Sequence, residues 1–204
     1  MKHGRSRISA LLVAALLVAV AACAERRSNV EFSIRRDRVL DDVLKNTRTL
    51  KVYRDLDTIF IADVLWYKPE LRRAFVASLK EEGRINDEQA ATMTDEISKK
   101  EGRELEFIVG FYTPDKSWND LDAVHSMWRL ALKGGGGEPV APERIEKLRV
   151  DKMQDAWLFP FITPWKSAYR VTFARKGSLP GADRYALRLS SVVGEGSLVW
   201  EPSK

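Results

Sequence analysis

Thiols and imidazoles are nearly absent from this chain. Its 204 residues include one cysteine, Cys23, and two histidines, His3 and His125. A single cysteine cannot close a disulfide within the chain, so stability has to come from the burial of apolar side chains. Zinc sites usually need several Cys or His ligands, so they are not expected here. No Gly-x-Ser-x-Gly elbow or Gly-Lys-Ser/Thr phosphate loop occurs, which argues against the enzyme classes built on those motifs.

Long hydrophobic runs are also missing. The longest, Ala10 to Ala22, has 13 residues, whereas a membrane-spanning helix needs about 20. It follows a basic start with Lys2, Arg5 and Arg7 and ends in small residues. This combination is typical of a secretory signal peptide. We therefore expect residues 1–22 to form a signal helix that is removed by cleavage.

The last residues of the run, Val20-Ala21-Ala22-Cys23, resemble the lipobox of bacterial lipoproteins. The resemblance implies cleavage between Ala22 and Cys23, a diacylglyceryl group on the Cys23 thiol and a further acylation site at the new amino terminus. Two or three acyl chains suffice for stable membrane anchoring. Ala24 stands where an aspartate would favour retention in the inner membrane, so the resemblance implies the periplasmic face of the outer membrane if the cell is Gram-negative. The alternative is an ordinary signal peptidase cut, with Cys23 unmodified.

Positive and negative charges nearly balance once the signal is removed. The mature chain, Cys23 to Lys204, has 31 basic and 29 acidic residues. Nucleic-acid-binding domains usually carry a clear basic excess, so nucleic acid is not an expected partner. The 182 mature residues suffice for one domain with a core. We expect residues 23–35 to form the lipidated cysteine with a tether, and residues 36–204 to form a single domain.

Two segments show helical spacing of apolar residues. Residues 36–46 predict a short helix. Between Lys68 and Gly102, a proline suited to a first turn, a capping pair at Asn86 and Gln89, and terminating glycines predict a helical hairpin.

The hairpin has few apolar residues and a wide charged exterior that includes Arg72 and Arg73. Such an insertion either docks a partner or covers an edge or face of a sheet. If it docks a partner, charge reversals at Arg72 and Arg73 are expected to weaken that contact without unfolding the domain.

Most of the remaining chain alternates between apolar and polar residues, which is typical of strands with one buried and one solvated face. Val52 to Ala62 predicts two strands joined by a turn near Asp55, and Asp63 is expected at a turn or an exposed edge. Further strands are predicted around Leu105–Phe111, Trp128–Leu132, Tyr169–Phe173, Tyr185–Leu189 and Leu198–Trp200. The pattern predicts a mainly β fold, an immunoglobulin-like antiparallel β-sandwich with the helical hairpin inserted between strands.

One acidic loop is a candidate metal site. Asp120, Asp122 and His125 lie close together between two predicted strands, and oxygen-rich loops can hold calcium. Calcium needs six or more oxygen ligands, and no EF-hand spacing is present. A solvated acidic loop with side-chain turns is therefore the preferred interpretation.

Loop aromatics are the other candidates for binding. Trp118, Trp165 and Tyr112 fall at predicted strand ends or loops, where they could stack on a sugar ring or meet a partner. Partial burial beneath a loop is the alternative. The four other tryptophans, Trp66, Trp128, Trp157 and Trp200, are expected in the core.

The sequence therefore favours a lipid-anchored cell-envelope protein with a non-catalytic binding or structural role, in contact with another envelope protein or the cell wall. We expect no enzymatic activity and no cofactor. The alternative is a carbohydrate or small-ligand binding module that uses the loop aromatics. An envelope hydrolase has the least support, because His125 belongs to no catalytic motif.

Overall fold

The computed structural model describes residues 34–149, 156–176, 179 and 184–201. The expected signal peptide, Cys23 and nearly all of the expected tether therefore lie outside the described residues. So do residues 150–155, 177–178 and 180–183. Within the described ranges the chain forms three α-helices and eight β-strands.

The helices lie where capping and spacing predict them. They are α1 (Ile34–Asn46), α2 (Pro69–Glu81) and α3 (Asp87–Glu101). The capping box of α3 is complete, because Asn86 Oδ1 accepts a hydrogen bond from Gln89 N at 2.8 Å and Gln89 Oε1 accepts one from Asn86 N at 2.9 Å. Among the described helices, none has the length and apolarity needed to cross a membrane.

The strands form two sheets, and every pairing is antiparallel. The larger sheet has the order β1-β2-β3-β6-β5 and the smaller one β4-β7-β8. The strands are β1 (Thr47–Arg54), β2 (Asp57–Trp66), β3 (Glu104–Tyr112), β4 (Arg129–Gly134), β5 (Arg144–Leu148), β6 (Ser167–Ala174), β7 (Tyr185–Ser190) and β8 (Glu195–Trp200). The mainly β antiparallel prediction is confirmed. Strand β5 was not predicted, because its sequence Arg-Ile-Glu-Lys-Leu belongs to a charged edge strand with few inward side chains.

The two sheets share one core and so form a sandwich. Phe60, Phe107 and Val171 of the larger sheet are fully buried in the same cluster as Leu132 and Leu187 of the smaller sheet. The immunoglobulin-like topology is not confirmed. An immunoglobulin sandwich places its third strand in the second sheet, whereas here β1, β2 and β3 are direct neighbours.

The outer face of the larger sheet carries a second core. Leu65 of β2 and Ile108 of β3 pack there with apolar side chains of α1, of α2 and of the segment around Phe159. Strand β3 is therefore buried on both faces, which corrects the expectation that its second face meets solvent. The helical hairpin is consequently a layer of the fold that covers a sheet face.

The expectation that Asp63 lies at a turn or an exposed edge is wrong. It lies within β2, opposite Thr49 of β1 on one side and Gly110 of β3 on the other, and is 6% exposed. Its carboxylate accepts a hydrogen bond from Thr49 Oγ1 at 2.5 Å and forms an ion pair with Lys166 Nζ. A buried carboxylate is tolerated in a strand when it is paired in this way.

Candidate functional site

Four segments meet at the end of the sandwich where β2 begins and β3 ends. They are residues 53–56 at the β1–β2 turn, residues 113–128 between β3 and β4, Trp165 before β6, and residues 191–194 between β7 and β8. We call these four segments together the loop end.

Strand register places the first three segments together. Ile61 near the start of β2 pairs with Tyr112 at the end of β3. Phe111 of β3 pairs with Ser167 at the start of β6, so Trp165, two residues earlier, lies at this same end. Antiparallel pairing therefore gathers residues that are far apart in sequence.

Side-chain contacts place the β7–β8 turn at the same end. Arg54 Nη2 donates a hydrogen bond to Val193 O at 2.6 Å. A β-carbon added at Gly194 would lie 3.2 Å from Val52 and 3.4 Å from Ile59. The β7–β8 turn therefore packs closely against the β1–β2 hairpin, and the smaller sheet contributes to the loop end.

Exposed apolar side chains are concentrated at the loop end. Among the described residues, seven large hydrophobic side chains are exposed, and Leu44 of α1 is the one that lies elsewhere. The six at the loop end are Tyr53 (55% exposed), Leu56 (99%), Trp118 (37%), Val124 (89%), Trp165 (68%) and Val192 (90%). Single exposed apolar residues are ordinary, whereas six of them at one end of the domain make that end the candidate interaction surface.

The structure therefore brings together the three aromatics singled out in the sequence. Trp118 and Trp165 are exposed, and Tyr112 is half-buried at the end of β3. Leu56 and Val192 were missed as candidates. Both are apolar residues inside turns. Turns are usually polar, so an apolar residue in a turn is the sequence feature by which they could have been identified.

Hydrogen bonds hold the loop that carries Trp118. Trp128 Nε1 donates to Trp118 O at 2.8 Å. Asp115 Oδ1 accepts from the backbone N–H of Ser117 at 2.9 Å and from its hydroxyl at 2.7 Å. These hydrogen bonds to the ionised form lower the pKa of Asp115. A loop fixed in this way presents its exposed ring with little conformational freedom to lose on binding.

Tyr169 anchors the same loop from the sandwich core. Its hydroxyl donates a hydrogen bond to Asn119 O, and Asn119 Oδ1 accepts from Thr113 Oγ1 at 2.7 Å. Burial raises the pKa of Tyr169 to about 12, because an apolar environment disfavours the phenolate.

The three candidate metal ligands also lie at the loop end, but their side chains do not converge on one site. Asp120 is half-buried and accepts a hydrogen bond from Ser126 Oγ at 3.0 Å. Asp122 and His125 are exposed. Across the described ranges, no three His, Cys, Asp or Glu side chains lie close enough to hold a metal ion.

At the opposite end, where β2 leads into α2, ionisable side chains line a cleft of about 560 Å³. The sequence predicted that Arg72 lies on the charged exterior of the hairpin, and the structure shows that it is buried. Its Nη1 lies 3.0 Å from Glu106 Oε2, and the two side chains are only 10% and 5% exposed. Arg73 is half-buried and pairs with Glu101. That contact lowers the pKa of Glu101 and raises the pKa of Arg73.

Lys68 also lines the cleft. Lys68 Nζ lies 4.3 Å from the centre of the Trp66 ring. Burial, helped by the charge of Arg48 and opposed by that of Glu70, lowers the pKa of Lys68. Because Arg72 of α2 pairs with Glu106 of β3, we interpret this contact as part of a charged seam that joins the hairpin to the sheet.

A comparison of the sequence with protein-family models found no match, and a comparison with curated proteins found none either.

Proposed function

We propose that this chain is a lipid-anchored protein of the bacterial cell envelope whose sandwich domain binds a partner without catalysing a reaction. The lipobox-like sequence ending in Cys23 supports the anchor, and Ala24 supports placement at the periplasmic face of an outer membrane. The observation that supports the binding role is the concentration of six exposed apolar side chains at the loop end.

Two features favour binding over catalysis. The exposed tryptophans and tyrosine of the loop end belong to the residue types enriched at interfaces. Arg72, Glu106, Arg73 and Glu101 are held in two ion pairs, and an acid–base catalyst needs a group that is free to exchange a proton.

The anchor is tested with Cys23→Ser. The wild-type protein should partition into the detergent phase and carry acyl mass on its amino-terminal residue, and the variant should either stay uncut or appear in the aqueous phase. A wild-type protein in the aqueous phase without acyl mass would contradict the anchor.

The binding surface is tested with photo-crosslinking side chains placed at positions 165 and 192 in living cells. Both should give adducts, whereas the same side chain at position 44, the exposed apolar site away from the loop end, should not. Equal yields at all three positions would exclude the loop end as the binding surface.

A carbohydrate ligand is the second candidate. The exposed rings of Trp118 and Trp165 lie at the same end of the domain, and sugar rings stack on such indoles. Cell-wall glycan fragments should then change the tryptophan emission of the wild type but not that of Trp118→Ala/Trp165→Ala. Unchanged wild-type emission across the solubility range of the fragments would contradict this candidate.

A further inference from the structure

We call the exposed apolar side chains of the loop end its apolar tips. They fit the surface of a lipid bilayer, and we infer that this end docks onto the membrane in which the acyl chains of Cys23 are anchored. The inference rests on the proposed lipid anchor and names the partner of the loop end.

The shape of the loop end favours a deformable partner. Leu56, Val124 and Val192 belong to three separate segments, and each is at least 89% exposed. Side chains this exposed stand clear of their neighbours, so a rigid protein would need a separate hollow for each of them. The headgroup region of a bilayer can admit such tips independently, and each apolar group that leaves water contributes to binding.

The exposed residue types at the loop end are those found in the interfacial region of a bilayer. Trp165, Trp118 and Tyr53 combine an apolar ring with a polar atom, and tryptophan and tyrosine are enriched at membrane–water interfaces for this reason. Leu56 and Val192 carry no side-chain polar group and suit the more apolar layer below the headgroups.

The charges around the tips are mixed. Arg54 and Lys116 are exposed beside the exposed Asp55 and Asp122, so the loop end lacks the basic cluster that recognises anionic lipids. Docking by apolar burial is therefore expected on neutral phosphatidylcholine, with little dependence on salt.

The length of the chain before α1 permits this arrangement. Residues 23–33 can span at most about 35–40 Å when extended, and the ten-residue strand β2 is about 33 Å long. The extended tether is therefore at least as long as the sheet, so the anchor permits the loop end to reach the bilayer. Tethering also keeps the domain at a high local concentration near the membrane, so a few apolar tips are enough for docking.

The experiment uses the mature, acylated full chain in phosphatidylcholine vesicles whose acyl chains either carry bromine or do not. Bromine quenches tryptophans that reach the membrane. We expect weaker emission in the brominated vesicles for the wild type, and loss of most of this difference in Trp165→Phe. Trp128 and Trp200, which are buried in the sandwich, should not contribute.

The docking variant is Leu56→Ser/Val192→Ser, and its matched control is Leu44→Ser on α1. The docking variant should lose at least half of the bromine quenching, and the control should retain it, with both melting as the wild type does. Equal wild-type emission in the two vesicle types would overturn the inference, as would full quenching in the docking variant.

The outcomes also separate this inference from the anchor. Quenching by bromine in a chain that carries no acyl mass would refute the anchor and support docking of the loop end. Crosslinks from position 165 to a protein, without bromine quenching, would uphold a binding role and refute the bilayer as the partner.

Discussion

Lys166 Nζ forms an ion pair with the carboxylate of Asp63, 103 residues earlier in the chain. The pair lies on the outer face of the larger sheet, and the two side chains are only 15% and 9% exposed. Lys166 Nζ also donates a hydrogen bond to Phe161 O at 2.9 Å. The pair therefore fixes the segment that ends in the exposed Trp165 against the sheet, and so helps to position the loop end.

Lys166→Met should destabilise the domain by about 3 kcal/mol, because it leaves the Asp63 carboxylate buried without its cationic partner. The double variant Asp63→Leu/Lys166→Met should recover most of that loss. The matched control is Lys45→Met, which breaks an exposed Lys45–Asp42 pair and should change the free energy of unfolding by less than about 0.5 kcal/mol. Urea denaturation measures all three variants, and equal effects of the two lysine substitutions would refute the role given to the pair.

The elements predicted correctly are those whose causes are local. Pro69, the Asn86–Gln89 capping box and the alternation along Tyr169–Phe173 each act within a few residues, and each gave the observed element. The errors concern partners that are distant in sequence. Asp63 could not be recognised as buried without Lys166, since nothing in its neighbourhood indicates an ion pair across the sheet.

The same distinction applies to the candidate site. Trp118 and Trp165 could be identified as loop aromatics from the turn residues around them. Their placement at one end with Leu56 and Val192 depends on the register of β2 with β3, of β3 with β6, and on the contacts of the β7–β8 turn. Such pairings are long-range, so the sequence indicated Trp118 and Trp165 but neither the other members of the surface nor their placement at one end.

Arg72 and Arg73 are adjacent in α2, and the structure predicts opposite behaviour for them. Arg72→Met should cost about 3 kcal/mol or more, because Glu106 would keep a buried charge without its partner. Arg73→Met should cost much less than Arg72→Met, because the Arg73–Glu101 pair is more than one-third exposed and is screened by solvent.

Chemical denaturation of both arginine variants provides the measurement, and circular dichroism checks that the helices persist. A charge reversal at Arg72 is expected to unfold the domain, contrary to the expectation from the sequence alone. Equal losses for the two methionine variants would show that the burial of Arg72 has no energetic consequence.

The glycines that follow the two hairpin helices should also differ. Gly83 has a φ of +67°, so Gly83→Ala forces an alanine into the left-handed region and should cost about 1 kcal/mol. Gly102 has a φ of −81°, and a β-carbon there would meet no atom within 4 Å. Gly102→Ala should therefore be neutral or stabilising by up to about 1 kcal/mol. Thermal melts decide between these outcomes, and a larger loss at Gly102 than at Gly83 would contradict the backbone argument.

Tyr169 predicts an alkaline loss of stability. Its pKa is raised from 10.0 to about 12 in the folded chain, so between these values the unfolded chain releases the phenol proton while the folded chain retains it. The contribution of this group to the free energy of unfolding is complete below pH 10 and declines as the pH rises towards 12.

Tyr169→Phe loses the hydrogen bond to Asn119 O, which should cost about 1 kcal/mol at pH 8. Because phenylalanine cannot ionise, the difference in the free energy of unfolding between the wild type and Tyr169→Phe should be smaller at pH 11 than at pH 8. Tyr53→Phe, at a residue that is 55% exposed, should follow the wild type at both values, and a constant gap for Tyr169→Phe in urea denaturation would refute the raised pKa.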